Sequence, residues 1–479
     1  MCHSTVPEDA QTLCINTQAL SNPVGYQSEL HLECLLRSPQ HHCYTAAVDQ
    51  IAPRKFAAPL RLLGTIAWAV FLLVGPLGIP ASTAYWATAL LSCFIFYLAY
   101  RPGFFDILAI LGSALALAGF RMFVVLHRLV LPDLGLSFAL LGLGAWFVVG
   151  LRFLWAKHGE DRSRLLSRVV TPSAVLLILL FASNNLINFM GLLHIKTVDL
   201  YAFSFDGSLG FQSSFVIGGW MQRYPWFGWP VVVLYLSILL PITLAYVVDM
   251  EKGINRPFYM LELFFSASFL GYLFYNLFPA AGPVYVFPSF PTAPLTFAQT
   301  SHLAVESIPL SPNVMRNALP SLHMAWALLI WWNMKKLSRV ACWIAFVYVL
   351  FTVCGTLGTG EHYVVDLVVS FPFALMIQAL SETAVPLHSP LRSGAILGGL
   401  AGVLVWIAML RYANPIFWIS PIVPWMLISI TIAMSLVVLF RLLAAANRPN
   451  PVSPDPRLST TQSESHRLVE QLPHPASAR

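Results

Sequence analysis

Two histidine motifs contain the side chains with which this sequence could perform chemistry. The first is P-S-L-H, Pro320 to His323, at the head of the apolar run RNALPSLHMAWALLIWW. The second is HYVVD, in which His362 precedes Asp366 by four residues. On a helix this spacing puts both side chains on one face, so the carboxylate can hold and polarise the imidazole. The set permits attack by one imidazole on phosphorus while a second imidazole protonates the leaving oxygen.

The first motif also suits the start of a helix. Proline is pre-set for a first helical turn, and Ser321 can accept a hydrogen bond from a free backbone N–H. His323 is then expected in the first turn, where backbone donors and the positive helix end favour an anion. Arg316, seven residues earlier, could neutralise phosphate oxygens. We therefore predict Arg316 and Ser321 as phosphate ligands.

Each motif also has a structural interpretation. P-S-x-H is typical of a helix cap, and a His four residues before an Asp is a common structural pair. Ionisable groups are expensive inside a membrane, so both motifs at one membrane face favour a catalytic site. A metal bound by His323, His362 and Asp366 would still need a convincing third neutral ligand. We predict no metal and no cofactor, because imidazole and guanidinium groups can supply the charge.

The elements that must position these motifs are transmembrane helices. The chain has 479 residues, 57% hydrophobic and 10% charged, with a mean hydropathy of +0.71. These values indicate an all-α, polytopic membrane bundle, because apolar runs of about 18 residues or more can cross a bilayer. We predict about twelve spans: Pro59–Val74, Ser82–Tyr100, Phe104–Leu126, Leu134–Trp155, Val169–Leu193, Trp229–Val248, Phe258–Phe278, Pro320–Met334, Val340–Leu357, His362–Leu380, Gly394–Leu410 and Phe417–Phe440.

The basic residues predict the orientation of these spans. Lys and Arg gather in alternate loops, for example at 157–168 and 335–339, whereas the opposite loops hold mostly single ones. Because short cytoplasmic loops collect Lys and Arg, both termini are expected in the cytoplasm. Both histidine motifs then lie on the non-cytoplasmic side. The net charge of +6 is scattered over these loops, so it does not indicate a nucleic-acid partner.

The two motifs together resemble the second and third motifs of the type 2 phosphatidic acid phosphatase superfamily. P-S-L-H resembles especially its inositol phosphorylceramide synthase-like branch, as does FPAAGP at 278–283. The resemblance covers roughly Ile187 to Ala384 and implies a phosphatase-like core of six spans. It also implies that His362 is the nucleophile that forms a phosphohistidine, that Asp366 orients it, and that His323 is the acid for the leaving alcohol.

The chain departs from the superfamily's first motif, K-x6-R-P. The nearest stretch is DMEKGINRPF, in which Asp249 stands where Lys should be and Lys252 is out of register. This loop also falls on the cytoplasmic side of the predicted topology. We therefore reject Arg256 as a phosphate ligand.

The third motif also departs, since Gly355 and Thr356 replace its Ser-Arg pair. Two cationic phosphate ligands of the superfamily are thus missing. Arg316, together with Lys196 or Arg223 of the outer loop, is expected to compensate if the protein is an enzyme.

We predict five regions and one function. The function is that of a lipid phosphatase or phosphotransferase using a phosphohistidine on a phospholipid or sphingolipid; the resemblance implies an inositolphosphotransferase with a lipid alcohol acceptor. The alternative is a transporter or a non-catalytic scaffold, but the paired broken helices or repeat of a transporter are not visible in the sequence. The regions are a disordered cytoplasmic N-terminus at 1–55, four accessory spans at 56–168, the catalytic core at 169–385, two C-terminal spans at 386–443 and a disordered cytoplasmic tail at 444–479.

Overall fold

The computed structural model describes residues 84–447, except 128–133, 157–159, 254, 256 and 257. These residues form an all-α bundle, which confirms the predicted fold class; a single pair of two-residue strands joins two loops. The elements, in chain order, are α1 Ala84–Ala99, α2 Phe104–Phe120, α3 Leu134–Trp155, α4 Glu160–Leu165, α5 Thr171–Leu193, β1 Lys196–Thr197, α6 Asp199–Ser208, α7 Ser213–Arg223, α8 Pro225–Leu236, α9 Leu239–Lys252, α10 Tyr259–Leu277, α11 Pro283–Val286, α12 Phe297–Ser301, β2 Ile308–Pro309, α13 Leu322–Met334, α14 Arg339–Gly358, α15 Val364–Ser381, α16 Pro390–Tyr412 and α17 Ile422–Ala446.

Eight stretches of the described chain are long and apolar enough to cross a membrane, so the protein is a multi-pass integral membrane protein. The axes of α8 and α9 differ by 58° across a short break, and the two helices counted together would make a ninth span. The eight stretches are Phe104–Val124, Gly135–Trp155, Asp161–Leu193, Tyr259–Leu277, Arg339–Gly358, Val364–Ser381, Pro390–Tyr412 and Ile422–Ala446.

The predicted count of twelve spans is not confirmed. The first predicted span, Pro59–Val74, lies outside the described residues. The second and eighth correspond to α1 and α13, which have 16 and 13 residues. Both are shorter than the roughly 20 residues that a helix needs to cross a hydrocarbon core. The predicted terminal segments 1–55 and 444–479 are outside the described residues, apart from the end of α17 and Asn447.

The helix that follows the second histidine motif is the most enclosed of the eight. In α15, 83% of the apolar stretch is buried, whereas the corresponding figure for the span of α2 is 11%. α15 packs against α10, α13, α16 and α17. A helix that is apolar all round is stable in such a central position, because every face meets another helix. The contact with α16 is close: a Cβ on Gly399 would lie 2.6 Å from the carbonyl oxygen of Pro372.

The starts of α13 and α15 are tied together, and these starts hold the two histidine motifs. The chain runs through α13, returns through α14 and enters α15, so α13 and α15 begin at the same end of the bundle. The backbone N–H of Ser321 donates to the carbonyl of Asp366 at 3.3 Å. The hydroxyl of Ser370 donates to the carbonyl of Ser321 at 2.9 Å. These bonds bring the two motifs into one site.

Candidate active site

His362 is buried and has a contact on each ring nitrogen. Its Nδ1 lies 2.9 Å from the carbonyl oxygen of Ala318 and 3.4 Å from Oδ2 of Asp366. Its Nε2 lies 3.2 Å from the hydroxyl of Ser321. A carbonyl oxygen can only accept, so these contacts assign the proton to Nδ1 and leave the lone pair on Nε2. A histidine held in this form presents Nε2 as a nucleophile.

Asp366 and a backbone carbonyl together orient the His362 ring. Its Oδ2 accepts from the N–H of Tyr363 at 2.8 Å, and its Oδ1 has no hydrogen-bond partner among the described residues. The Ala318 carbonyl is closer to Nδ1 than the carboxylate is. The spacing of His and Asp predicts the carboxylate, but no residue type in the sequence marks a carbonyl that serves as the second acceptor.

Ser321 contacts His362 and begins the helix that bears His323. It is the N-cap of α13, and its hydroxyl accepts from the N–H of Met324 at 3.4 Å. With that lone pair in use, the hydroxyl can direct its own proton to Nε2 of His362. His323 follows in the first turn of α13 and is half-buried.

The surroundings of His323 are aromatic. Nε2 lies 3.0 Å from the hydroxyl of Tyr85 on α1, and Nδ1 has no hydrogen-bond partner in the described part of the chain. The ring of Tyr235 on α8 lies against the imidazole, with centroids 4.1 Å apart, and the ring of Trp326 is 5.9 Å away. Tyr85 and Tyr235 belong to no recognisable motif, and sequence reasoning missed both.

Glu361 adds a carboxylate to this side of the site. The hydroxyl of Tyr235 donates to its Oε2 at 2.5 Å. Glu361 forms no ion pair within the described residues. Tyr235 also packs against Gly355 of α14, where a Cβ would lie 2.8 Å from that of the tyrosine. The glycine at the third-motif position therefore leaves room for the Tyr235 ring.

A second buried carboxylate, Asp199 at the start of α6, joins the FPAAGP loop to the second histidine motif. It accepts from the N–H groups of Ala281 at 2.9 Å and Gly282 at 2.6 Å. It also accepts from the Tyr363 hydroxyl at 2.8 Å and from the hydroxyl of Thr197. Charge-assisted bonds of this kind are strong in a buried position. Asp199 was not predicted from the sequence, because nothing in its local sequence marks it.

Two further side chains fix the start of α15. Both oxygens of Asp206 on α6 lie 3.1 Å from the N–H of Val364. The hydroxyl of Ser214 on α7 donates to the His362 carbonyl at 2.9 Å. Burial raises the pKa of the Asp206 carboxyl, while the Val364 N–H opposes that shift. Side chains of α6 and α7 thus hold the backbone at His362 and at the start of α15.

Residues 201–380 match the family model described as the PAP2 superfamily. This supports the type 2 phosphatidic acid phosphatase superfamily for that part of the chain. Searches of curated proteins and of solved structures gave no significant match. The matched residues, called the PAP2 segment below, include both histidine motifs but less than half of the chain. The synthase-like branch is finer than this match and stays a prediction.

The PAP2 segment does not contain every side chain of the site. Tyr85, which contacts His323, lies on α1, more than a hundred residues before the segment begins. α1 packs against α3, α5 and α9. A helix from the predicted accessory region therefore completes the surroundings of one catalytic candidate.

Arg316 is fully buried, and its contacts are with its own loop. Nη1 donates to the carbonyl of Val314 at 2.6 Å, and Nη2 donates to the carbonyls of Leu310 at 3.0 Å and Ser311 at 3.2 Å. Burial lowers the pKa of the guanidinium, and the charge of Asp199 opposes this. The structure shows no contact between Arg316 and either histidine, so this arginine holds the loop before α13.

For the other two predicted cations, Lys196 and Arg223, the described contacts are with groups other than the histidines. Lys196 is exposed on β1, which pairs with β2. Arg223 is exposed at the end of α7, with its guanidinium carbon 5.7 Å from the ring centroid of Tyr224. Arg256 is outside the described residues. Among the residues that the structure describes, no group of three or more His, Cys, Asp and Glu side chains could hold a metal ion.

Proposed function

We propose that this protein is an integral membrane enzyme that breaks a phosphoester of a lipid through a phosphohistidine on His362. One observation supports this most strongly. Nδ1 of His362 is held by the Ala318 carbonyl with Asp366 beside it, while Nε2 lies at the capped start of the helix that bears His323. This pairs an oriented nucleophile with a nearby acid, as covalent phosphoryl transfer needs.

The chemistry has two steps. Nε2 of His362 attacks phosphorus, the N–P bond forms, and the P–O bond to the leaving alcohol breaks as His323 gives that oxygen a proton. An acceptor oxygen then attacks phosphorus, the N–P bond breaks, and His323 takes the acceptor's proton. Asp366 stabilises the positive charge on His362, and the positive end of α13 favours the phosphate.

The acceptor determines the class of enzyme. Water would make the protein a lipid phosphatase, and an alcohol such as ceramide would make it a phosphotransferase. We propose transfer to a lipid alcohol, in the manner of an inositolphosphotransferase, because P-S-L-H resembles the synthase-like branch. The donor is a phospholipid or sphingolipid in the bilayer. The distribution of Lys and Arg supports a site on the non-cytoplasmic side.

Of the two proposed phosphate ligands, Ser321 has the better support. Its hydroxyl lies 3.2 Å from the nucleophilic nitrogen of His362. Arg316 donates to loop carbonyls, so it can bind phosphate only if it releases them. We therefore assign Arg316 first to holding the loop and only second to the substrate.

The test uses purified protein and phospholipids labelled with 32P in the phosphate, with and without ceramide. We expect acid-labile, base-stable label on the wild-type protein and none on His362→Ala. His388, which is exposed between α15 and α16, provides the control variant His388→Ala. A new labelled lipid product that forms only when ceramide is present would support transfer. Release of labelled headgroup phosphate or free phosphate would support hydrolysis.

Three results would contradict the proposal. Unchanged turnover in His362→Ala would exclude the phosphohistidine. Cysteine accessibility that placed positions 323 and 362 on opposite membrane faces would exclude a shared site. Movement of lipid across the bilayer without any cleaved product would favour the transporter alternative.

A further inference from the structure

A cavity of about 860 Å³ lies where the end of α1 and the start of α2 meet α3 and α4. We call it the α2–α3 cavity. Tyr97 of α1 lines it, whereas Tyr85, which contacts His323, lies about 18 Å away along the same helix. The described residues that line the cavity all precede the PAP2 segment. The cavity is therefore separate from the candidate active site.

The lining of the α2–α3 cavity is charged at one end and mainly apolar at the other. Its four charged side chains all lie where the helices begin or end: Arg101, Asp106, Arg152 and Asp161. Further along α2 and α3 the lining is mainly apolar, with Ala109, Phe147 and Val148. It reaches Ser113, which lies about 10 Å beyond Asp106 along α2. A cavity with one charged and one apolar end fits an amphiphile.

The charged end lies at the surface of the membrane. One apolar stretch long enough to span begins at Phe104, and the next one ends at Trp155. The rings of Phe104, Phe105 and Trp155 are largely exposed there, and aromatic rings gather at the level of the lipid headgroups. The apolar end then lies in the hydrocarbon region. Since only 11% of the apolar stretch of α2 is buried, a bilayer lipid can reach the cavity from the side.

The charged side chains leave one guanidinium for a ligand. Asp106 accepts from Nε and Nη2 of Arg152 at 2.9 and 2.5 Å, and from the N–H of Gly103 at 3.2 Å. The guanidinium of Arg101 is exposed and has no hydrogen bond or ion pair within the described part of the chain. A free guanidinium can bind a phosphate through two parallel N–H bonds. With Asp161 the lining has no net formal charge, which suits one phosphate better than several.

We propose that the α2–α3 cavity binds a bilayer phospholipid that carries a single phosphate. The phosphate binds the guanidinium of Arg101, and an acyl chain lies along α2 and α3 toward Ser113. The predicted topology puts this site at the cytoplasmic face, opposite the two histidines, and basic groups between helix ends at that face suit lipid headgroups. The inference does not depend on the proposed function, because no residue of the active site lines the cavity.

The test is photolabelling of the purified full-length protein with a phosphatidylcholine analogue that carries a diazirine in one acyl chain. A phosphonate in place of the phosphoester prevents cleavage of the analogue. Mass spectrometry of peptides separates labelling within 104–155 from labelling near the histidines. We expect saturable labelling within 104–155 that excess phosphatidylcholine suppresses. Diacylglycerol with the same chains should compete about tenfold less well, because it lacks the phosphate, and inorganic phosphate should not compete.

Two variants test the two ends of the cavity. Arg101→Gln should raise the concentration for half-maximal labelling about tenfold, since the charged hydrogen bonds to phosphate are lost. Ala109→Trp should abolish labelling within 104–155 by filling the apolar end, and Ala109 is exposed, so the larger ring need not disturb the core. The matched controls are Arg339→Gln, at an exposed arginine of α14, and Leu115→Trp, on the exposed face of α2 outside the cavity lining. Neither control should change the labelling.

Three outcomes overturn the inference. Labelling within 104–155 that does not saturate, or that Arg101→Gln and Ala109→Trp leave unchanged, would show contact with the surrounding bilayer only. Equal competition by diacylglycerol would show that the phosphate is not recognised. Suppression by inorganic phosphate alone would make the cavity a site for a soluble anion.

Discussion

The two histidines of the site are held in different ways. His362 is 2% exposed and is fixed by a backbone carbonyl, a hydroxyl and a carboxylate, all from within the PAP2 segment. His323 is half-buried among aromatic rings, and its closest polar contact is Tyr85 of α1. The rings of Tyr235 and Trp326 lie beside its imidazole. The proposed nucleophile is thus positioned within the matched segment, whereas the proposed acid depends in part on a helix outside it.

This difference suggests that the surroundings of the two histidines control different parts of the reaction. Carbonyl and carboxylate acceptors are strong and leave His362 one orientation, as attack on phosphorus requires. The ring faces around His323 are weaker contacts that a different leaving group could rearrange. Changes near His323 should therefore alter which alcohol leaves or enters, and changes near His362 should alter whether any phosphohistidine forms. The predictions below test this contrast.

The largest effect is expected from His323→Ala. Loss of a general acid typically costs about 10²–10⁴-fold, and we expect kcat on a phospholipid to fall by this amount. Labelling of His362 by a nitrophenyl lipid analogue should fall far less, because that leaving group needs little protonation. His302→Ala, in the exposed loop after α12, is the control. An equal loss on both substrates would contradict the assignment of acid and nucleophile.

The next effect concerns the buried scaffold beside His362. Asp199→Asn replaces an acceptor of four hydrogen bonds with a group that carries two donors of its own. We expect a loss of about 1–3 kcal/mol in stability, since buried donors of the FPAAGP loop lose partners. The measurement is thermal inactivation in detergent, with the exposed Asp161→Asn as control. A rate of thermal inactivation in Asp199→Asn equal to that of the wild type would show that Asp199 does not hold the loop.

The sequence predicts the nucleophile side of this site better than the acid side, for a physical reason. His362, Asp366 and Ser321 lie at helix starts, where spacing and capping preferences are local. Tyr85 of α1 and Tyr235 of α8 each contact His323, and Glu361 contacts Tyr235. These contacts join distant parts of the chain, and no local pattern encodes them.

The helices show the same limit. Long apolar runs predict α3, α10 and α14 to within one residue at each end, because hydropathy alone marks them. α13 has only 13 residues and the axes of α8 and α9 differ by 58°, and local hydropathy marks neither feature. The contacts of Arg316 with loop carbonyls could not be predicted either, since charge and spacing suit a phosphate ligand equally well.

A smaller effect than for His323 is expected at Asp366. Where a carboxylate alone fixes the tautomer of a catalytic histidine, its amide replacement costs about 10⁴-fold. Here the Ala318 carbonyl, 2.9 Å from Nδ1, also holds that tautomer. We therefore expect Asp366→Asn to lower the rate of phosphohistidine formation by only about 10- to 100-fold, measured with the nitrophenyl analogue. A loss as large as that of His362→Ala would mean that the carbonyl contributes little.

The smallest effect is expected on the His323 side of the site, and it tests whether the two histidines are held independently. Tyr85→Phe removes one neutral hydrogen bond to His323, which is worth about 0.5–1.5 kcal/mol, so we expect kcat on a phospholipid to fall about 2- to 13-fold. Tyr85→Phe combined with Asp366→Asn should be additive, because Tyr85 contacts His323 whereas Asp366 contacts His362. A combined loss well below the sum of the single losses would show that the two histidines are not held independently.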